Sequence, residues 1–471
     1  MKNNNFMSKI CLALFLIFFS ASAFAQTTNW YGEIKVQGAV LPITLNIEKK
    51  ADTTIILMGS PAQTKEMFSV TKQRIEGDSI IFSIKNMSIV YRGKLNKSKD
   101  EIVGVFKQGL LLTDLTFKKL QEKFEYKRPQ EPKPPFSYVE QELSFTTPGV
   151  DYDFKGTLTL PSKEGKYPCV ILITGSGLQN RDEEVFGHKP FKVIADYLTK
   201  NGIAVFRYDD RGWGSKNADL FNATSLDYVK DAQSAFNMLK SNPNIDSKKI
   251  GMLGHSEGGL IAPICASQNN DIAFVILLAG PGVSGYDVLM QQNKEIMQKA
   301  KASKFQINSQ LDALSKINVL IRSNVSSSEL ETKMNTYFDS IISKLSEKKK
   351  KDYQYTSPAA RTQFISQINL PWMRIFFVLD PQDYLTKLSQ PVLALNGDKD
   401  IQVISRYNLP AIKKAMKVAK NNNFEYFEAK GMNHLSQECK EGTIDEYQTI
   451  EQTISPIILE KLKTFIQKFS K

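Results

Sequence analysis

The chain predicts an α/β fold, a mostly parallel sheet with helices on both faces, preceded by a small antiparallel β domain. Three observations predict it. Short alternating strands fill residues 30–119, a proline-rich segment follows, and from about residue 140 onward apolar β-rich runs alternate with amphipathic stretches. At 471 residues the chain also exceeds what one hydrophobic core organises.

The first residues, MKNNNFMSKICLALFLIFFSASAFAQTT, place Lys2 and Lys9 before an apolar run from Ile10 to Phe19 and end in Ala23-Phe24-Ala25. That three-part layout is a secretory signal peptide, with cleavage expected after Ala25 and a secreted or periplasmic mature protein. The apolar run is short for a membrane span, and no other stretch is long enough, so no stable membrane insertion is expected after cleavage. Cys169, Cys265 and Cys439 remain, too few and too irregularly spaced for a disulfide framework or a zinc site. Buried single thiols are expected, with one bridge left open.

The strands ITLNIEK (43–49), TTIILMGS (53–60), SIIFSIK (79–85) and LLLTDLTFKK (110–119) belong to the β domain, expected over residues 26–125. YKRPQEPKPPFSY (126–138) reads as a semi-rigid linker, because its prolines deny both helix and regular sheet. SFTTPGVDYDFKGTLTLP (144–161) predicts a hairpin. PCVILITGSG (168–177), GIAVFRYDDRG (202–212), KIGMLGHS (249–256), DIAFVILLAGPG (271–282), PVLALNGDKD (391–400) and FEYFEAKGMNH (424–434) predict buried strands. Helices fall around 189–200 and 225–240. Between Gly280 and Pro391 lie about 110 residues with helical periodicity, too long for a connection; a helical lid over about 284–388 is expected.

The net charge of +12 is carried by scattered lysines, and the one dense run, Lys348 to Lys351, sits beside Glu347 in a polar helical stretch. A solvated surface accounts for it, and no nucleic-acid partner is expected.

The chemistry gathers at Gly254-His255-Ser256-Glu257-Gly258, a G-x-S-x-G run with a strand before it and helix-forming LIAPICA after it. In such an elbow the serine takes a strained conformation, side chains two residues to either side would collide with the chain, and the next amide, that of Glu257, faces a developing oxyanion. Three histidines exist: His188, His255 and His434. In folds with this elbow the order is serine, acid, histidine, so only His434, in the loop KGMNHLSQ, qualifies as the base. Asp398 and Asp400 in NGDKDIQV both offer a carboxylate; Asp400 is preferred, because the turn after Gly397 can swing it toward the histidine. Ser176, in Gly175-Ser176-Gly177, is the first choice for the second oxyanion amide. His188, Trp372 and Phe376 are substrate-pocket candidates; packing or solvent exposure is favoured over the pocket for His188, and a hydrophobic lid underside accounts equally for the aromatic run PWMRIFFVLDP (371–381). His255 is expected to be structural, and Arg207, Asp209, Asp210 and Arg211 to form an ion-pair network bracing a loop. Pro263, two turns into the helix after the elbow, has no explanation at this level.

Taken together, ITGSGLQNRDE, HKPFKVIADYLTKNGIAVFRYDDRGWGSK, IGMLGHSEGGLIAP, LLAGPG, LPWMRIFFVLDP, LALNGDKDIQV and GMNHLSQ resemble the EstD-type bacterial carboxylesterases of the α/β-hydrolase superfamily, over roughly residues 140–470 in the same order. The resemblance implies an α/β-hydrolase catalytic domain over 138–471, after a linker over 126–137. It implies cleavage of small-molecule carboxylic esters with short or medium acyl chains, without cofactor or metal, through an acyl-enzyme on Ser256 with Asp400 and His434. It also leaves room for peptidase, amidase or acyltransferase chemistry on the same triad. Ser436 departs from the pattern, where a larger apolar residue is usual, and is expected to widen the pocket beside the histidine. A binding protein that uses a hydrolase scaffold for glycan or envelope material is the alternative outside enzymology.

Overall fold

Strict alternation in the N-terminal part yields strands that bury one face. The structure, a computed structural model, describes residues 26–36, 39–50, 53–62, 66–109 and 111–470; the expected signal peptide, residues 1–25, lies outside them. Packing divides the chain near residue 125 into two compact units. In the first, nine strands among the described residues, from Gln26–Val36 to Leu111–Leu120, form one antiparallel sheet. Its buried face carries Phe82, Tyr91, Phe106 and Phe117. The Tyr91 hydroxyl lies 3.0 Å from the carbonyls of both Ile102 and Leu115, so its polar end is satisfied inside an apolar core.

The second unit holds an eight-stranded sheet: β1 (Val139–Phe145), β2 (Phe154–Leu160), β3 (Tyr167–Ile173), β4 (Ala204–Tyr208), β5 (Ile245–His255), β6 (Val275–Leu278), β7 (Val392–Gly397) and β8 (Phe424–Ala429). Their order is β1-β2-β4-β3-β5-β6-β7-β8. β1 and β2 form the expected hairpin and β2 pairs antiparallel with β4; every later pairing is parallel. Parallel strands need crossover helices, and these cover both faces. α1 (Pro190–Lys200) and the C-terminal helix Pro456–Phe469 pack on one face through Phe191, Leu198, Leu462 and Phe465. α2 (Ser225–Lys240), α3 (Gly258–Gln268) and the helix Ser405–Val418 pack on the other through Phe236, Ile261 and Ile412. Alternate residues of β3 divide accordingly, Cys169, Ile171 and Ile173 toward the second face and Val170 and Leu172 toward the first. α3 is buried all round and keeps Pro263 inside it; nothing in the structure explains that proline.

Residues 126–137 belong to the second unit rather than spanning free space. The Arg128 guanidinium donates to the carbonyls of Phe186, Gln448 and Ile450, and the Gln130 amide both donates to and accepts from the backbone of residues 453–454. The prolines do exclude helix and sheet here. Side-chain hydrogen bonds to the neighbouring backbone then hold the extended segment down, which composition does not encode.

Seven helices lie between β6 and β7: α4 (Gly285–Lys299), α5 (Lys304–Arg322), α6 (Ser327–Ile342), α7 (Glu347–Asp352), α8 (Pro358–Ile368), α9 (Pro371–Val378) and α10 (Gln382–Leu385). Ser303 with Gln306, and Ser326 with Glu329, form capping boxes that start α5 and α6. The lysine run falls on α7, where Lys350 pairs with Glu347 at 2.7 Å. The insertion has its own core, built on Leu314, Met334, Phe338, Tyr355 and Phe377, with Phe338 stacked on Tyr355 at 4.3 Å. Cys169, Cys265 and Cys439 are free thiols. No helix among the described residues is long and apolar enough to cross a membrane.

Phe338→Ala removes one of the two fully buried phenylalanine rings of the insertion core. It is expected to destabilise the insertion by about 3–5 kcal/mol. Urea denaturation followed by the near-ultraviolet signal of the insertion's tyrosines checks this; an unchanged midpoint would show that the cluster is not a cooperative core.

Candidate active site

The C-terminal ends of β3, β5 and β7 converge on one pocket of about 390 Å³, the position where parallel sheets gather ligands. Ser256 follows β5 directly, with φ at 51°, in the left-handed region that costs a side chain about 1 kcal/mol or more. Its N–H donates to Leu278 O at 2.9 Å and its carbonyl accepts from Gly259 N at 2.9 Å, so both neighbouring elements hold the strained residue. The flanking glycines are sterically required. A Cβ on Gly254 would land on the Gly258 carbonyl, and one on Gly258 on the Ile173 carbonyl.

Asp400 and His434 meet across two loops. Asp400, 2 % exposed, accepts His434 Nδ1–H on Oδ2 at 2.7 Å and the backbone N–H groups of Gln402 and Val403 on Oδ1 at 2.8 and 2.9 Å. With Nδ1 donating, His434 keeps Nε2 as an acceptor. Asp398 does other work: its carboxylate accepts Gly431 N–H at 2.7 Å and faces Lys430, which ties down the start of the histidine loop. That loop is further fixed by Asn433, whose side-chain oxygen accepts from Leu435 N and Gln437 N. Ser256 and His434 both line the pocket. Among the described residues no hydrogen bond joins the Ser256 hydroxyl to the His434 ring, a contact that often tightens only with substrate bound.

Ser176 and Glu257 also line the pocket, Ser176 from the loop after β3 and Glu257 at the head of α3. The Glu257 side chain has a role that the sequence did not suggest. Oε1 accepts from Ser225 Oγ at 2.5 Å and from Trp372 Nε1 at 2.7 Å, which fastens α9 of the insertion to the residue beside the serine. Burial raises its pKa, opposed by the hydrogen bonds from Ser225, Trp372 and Ser176. Trp372 and Phe376 stack at 5.3 Å and line the pocket. Ser436 does not widen it: the residue sits at φ 61° in a turn outside the pocket wall, donating to Asn433 O.

His188 is corrected. It is fully buried and is not part of the pocket wall. Its Nε2–H donates to Tyr447 O at 2.8 Å while Nδ1 accepts from the Thr453 hydroxyl at 2.9 Å, so it pins the C-terminal segment. The sequence FGHKPF carries no sign of a partner some 260 residues away. The charged run behaves as a brace: Arg207 pairs with Asp182, Asp209 with Arg181, and Arg211 with Asp231, while Asp210 accepts from Thr174 and Gln179 N. His255 and Glu183, both buried, face each other at 2.8 Å beside Ser256. No sequence pattern pointed to Glu183.

An elbow serine after the fifth strand, an acid after the seventh and a histidine after the eighth define an α/β hydrolase. The family model for "Serine aminopeptidase, S33" (Hydrolase_4) matches residues 189–435, more than half of the chain, and the chain belongs to that family. Esterase EstD of Thermotoga maritima is 30% identical over 148 residues, which are 31% of this chain and 35% of that protein. Acyl-coenzyme A thioesterase 1 of Mus musculus is 28% identical over 152 residues, 31% of this chain and 32% of that one. The chain thus spans about a third of the length of these curated relatives. Among solved structures, a Pyrococcus furiosus esterase, Pf2001, aligns with TM-score 0.43 and 16% identity over 74% of this chain and all of that one. Est1E from Butyrivibrio proteoclasticus aligns with TM-score 0.39 and 15% identity over 69% and 98%.

Burial, with the Arg128 charge nearby, pushes the His188 pKa from 6.5 down to about 4, against the ring's hydrogen bonds to the Tyr447 and Ile450 carbonyls. The unfolded chain therefore takes up this proton first as pH falls. Stability is full above pH 6.5 and declines toward pH 4 by about 3 kcal/mol from this residue. Thermal melts of the wild type and His188→Gln between pH 7 and 4.5 check the sign: the variant is expected to lose less stability over that interval, and parallel slopes would contradict the assignment.

Proposed function

We propose that the protein is an exported serine hydrolase that cleaves carboxylic esters of short to medium acyl chains. The observation that carries this reading is the Asp400–His434 hydrogen bond, with His434 and the strained Ser256 lining one pocket. Ser256 Oγ attacks the acyl carbonyl while His434 Nε2 takes its proton; Asp400 holds the ring in the required tautomer and stabilises the imidazolium. The N–H groups of Ser176 and Glu257 bind the oxyanion. Collapse expels the alcohol with the proton from His434, leaving an acyl-Ser256 ester. Water, deprotonated by His434, then releases the acid and restores the serine. Trp372, Phe376, Val288 and Leu289 supply an apolar wall for the acyl group. The substrate is a small ester, with no nucleic-acid partner and no cofactor.

Two facts favour testing other acyl bonds with the same triad. The family description names an aminopeptidase, and one relative is an acyl-coenzyme A thioesterase. Initial rates on an ester, a thioester and an amide sharing one acyl group rank the three; amide turnover above ester turnover would replace the esterase reading.

Hydrolysis of a graded series of p-nitrophenyl acyl esters by the mature protein is the primary test. Ser256→Ala is expected to lower kcat by at least about 10⁴-fold. Asp400→Asn is expected to lower it on the order of 10³–10⁴-fold, through the wrong histidine tautomer. Asp398→Asn keeps an acceptor for Gly431 N–H and should stay within about three-fold of wild type. Turnover that survives in Ser256→Ala, or an equal loss in both aspartate variants, would overturn the assignment. Export is tested by N-terminal sequencing of the protein recovered outside the cytoplasm, where a start at Gln26 is expected.

A further inference from the structure

Behind Ser256 lies a second acid–histidine pair that the triad does not use. Glu183, 4 % exposed, sits at φ 52°, a left-handed conformation for a residue with a long side chain. Backbone strain of this kind persists only where surrounding structure enforces it, and it accompanies functional placement. The result is that Glu183 Oε1 accepts two hydrogen bonds at once, from Gly175 N at 2.7 Å and from His255 Nδ1 at 2.8 Å. The other ring nitrogen of His255, Nε2, lies 3.0 Å from the carbonyl oxygen of His434, and the two imidazole rings are 4.8 Å apart.

With Glu183 as a carboxylate, the hydrogen-bond inventory points to one protonation state of His255. A carbonyl oxygen only accepts, so Nε2 carries a proton; a carboxylate oxygen that already accepts from Gly175 N also accepts from Nδ1, so Nδ1 carries one too. His255 is then an imidazolium paired with a carboxylate, neutral as a unit and shielded from water. Gly175 begins the loop that presents Ser176, and His434 is the triad histidine. The pair therefore spans the two loops whose separation decides whether base and oxyanion donors face the same carbonyl. Space enforces the same arrangement, since a Cβ on Gly175 would lie 3.1 Å from Ser256 Cβ and 3.3 Å from Glu183 Oε1.

We propose that Glu183 and a doubly protonated His255 form a positioning pair, which locks the oxyanion loop to the loop of the base and so supports the chemical step rather than substrate binding. This rests on the serine-hydrolase reading insofar as it takes His434 as the base. The titratable groups facing His255 are Glu183 on the loop after β3, His434 on the loop after β8 and Asp400 on the loop after β7. Burial lowers the His255 pKa, but the Glu183 charge and hydrogen bond, the His434 carbonyl and the Asp400 charge outweigh it, and the pKa is raised. A raised pKa means that the proton is lost only as pH rises through it, so the lock fails on the alkaline side.

Two measurements test the pair. In ¹⁵N-labelled wild-type protein at pH 7, with His255→Gln supplying the assignment, both His255 ring nitrogens are expected to carry protons; a neutral imidazole overturns the proposal, whatever the protein hydrolyses. In Glu183→Gln the amide oxygen still accepts from Gly175 and His255 Nδ1, but the charge that keeps the second ring proton is gone. There kcat is expected to fall about 10–100-fold with KM within about two-fold. The alkaline limb of the kcat–pH profile is expected to move to lower pH by roughly one unit or more. A wild-type kcat with an unmoved limb would overturn the role, and the labelled wild-type spectrum remains decisive if the variant does not fold. Absence of turnover by the wild type itself would instead defeat the serine-hydrolase reading and leave the protonation result standing.

Discussion

The left-handed backbone at Ser256 is the constraint on which the rest of the second unit depends. A side chain at φ 51° is held between the end of β5 and the start of α3 by hydrogen bonds to Leu278 and Gly259. Relief of that strain would let the strand run on or the helix begin earlier, and either would take the hydroxyl out of the pocket. Gly254 and Gly258 permit the turn because the chain crosses itself there at a spacing that no Cβ allows. The buried α3 and the parallel neighbours of β5 pack around the turn and hold it in place.

Around that turn, charge is handled in pairs. Asp400 with His434 and Glu183 with His255 place two imidazoles side by side, each fixed at Nδ1 by a carboxylate and each in a different setting. Asp400 shares its second oxygen with backbone amides of its own loop, whereas Glu183 shares its accepting oxygen with the loop that presents Ser176. One pair thus brings its histidine to the pocket wall, and the other bridges the Gly175 loop to the His434 loop. Leaving any of these groups buried and unpaired would cost several kcal/mol, so such clusters act as rigid units.

The insertion adds a third level of control. It folds around its own aromatic core, yet the bond from Trp372 to Glu257 brings it to the residue that follows the serine. The apolar wall of the pocket and the head of α3 are thereby coupled through one carboxylate, with Ser225 of α2 on the same oxygen. The insertion also packs on the sheet's core through Val288, Phe376, Leu379 and Leu385.

Legibility in the sequence followed the range of the interactions. The alternation of strands and helices, the G-x-S-x-G turn and the single histidine after it are local or ordered along the chain, so the fold class and the meeting of Ser256 and His434 at one pocket were readable from the residues. Asp400 against Asp398 was readable only as a preference, because both leave the same strand within three residues and the choice depends on which carboxylate the turn aims at the ring. Other roles were not readable at all: Glu183 lies 72 residues from its partner His255, and His188 lies 265 from Thr453. Trp372 lies 115 residues from Glu257. No periodicity or motif links such residues. The sequence by itself determined which elements form and which residue types could carry the chemistry, since backbone preference and hydrophobic period act over a few residues. Only the tertiary structure decided which buried polar groups pair, because the desolvation that compels pairing exists only once distant segments have closed over them.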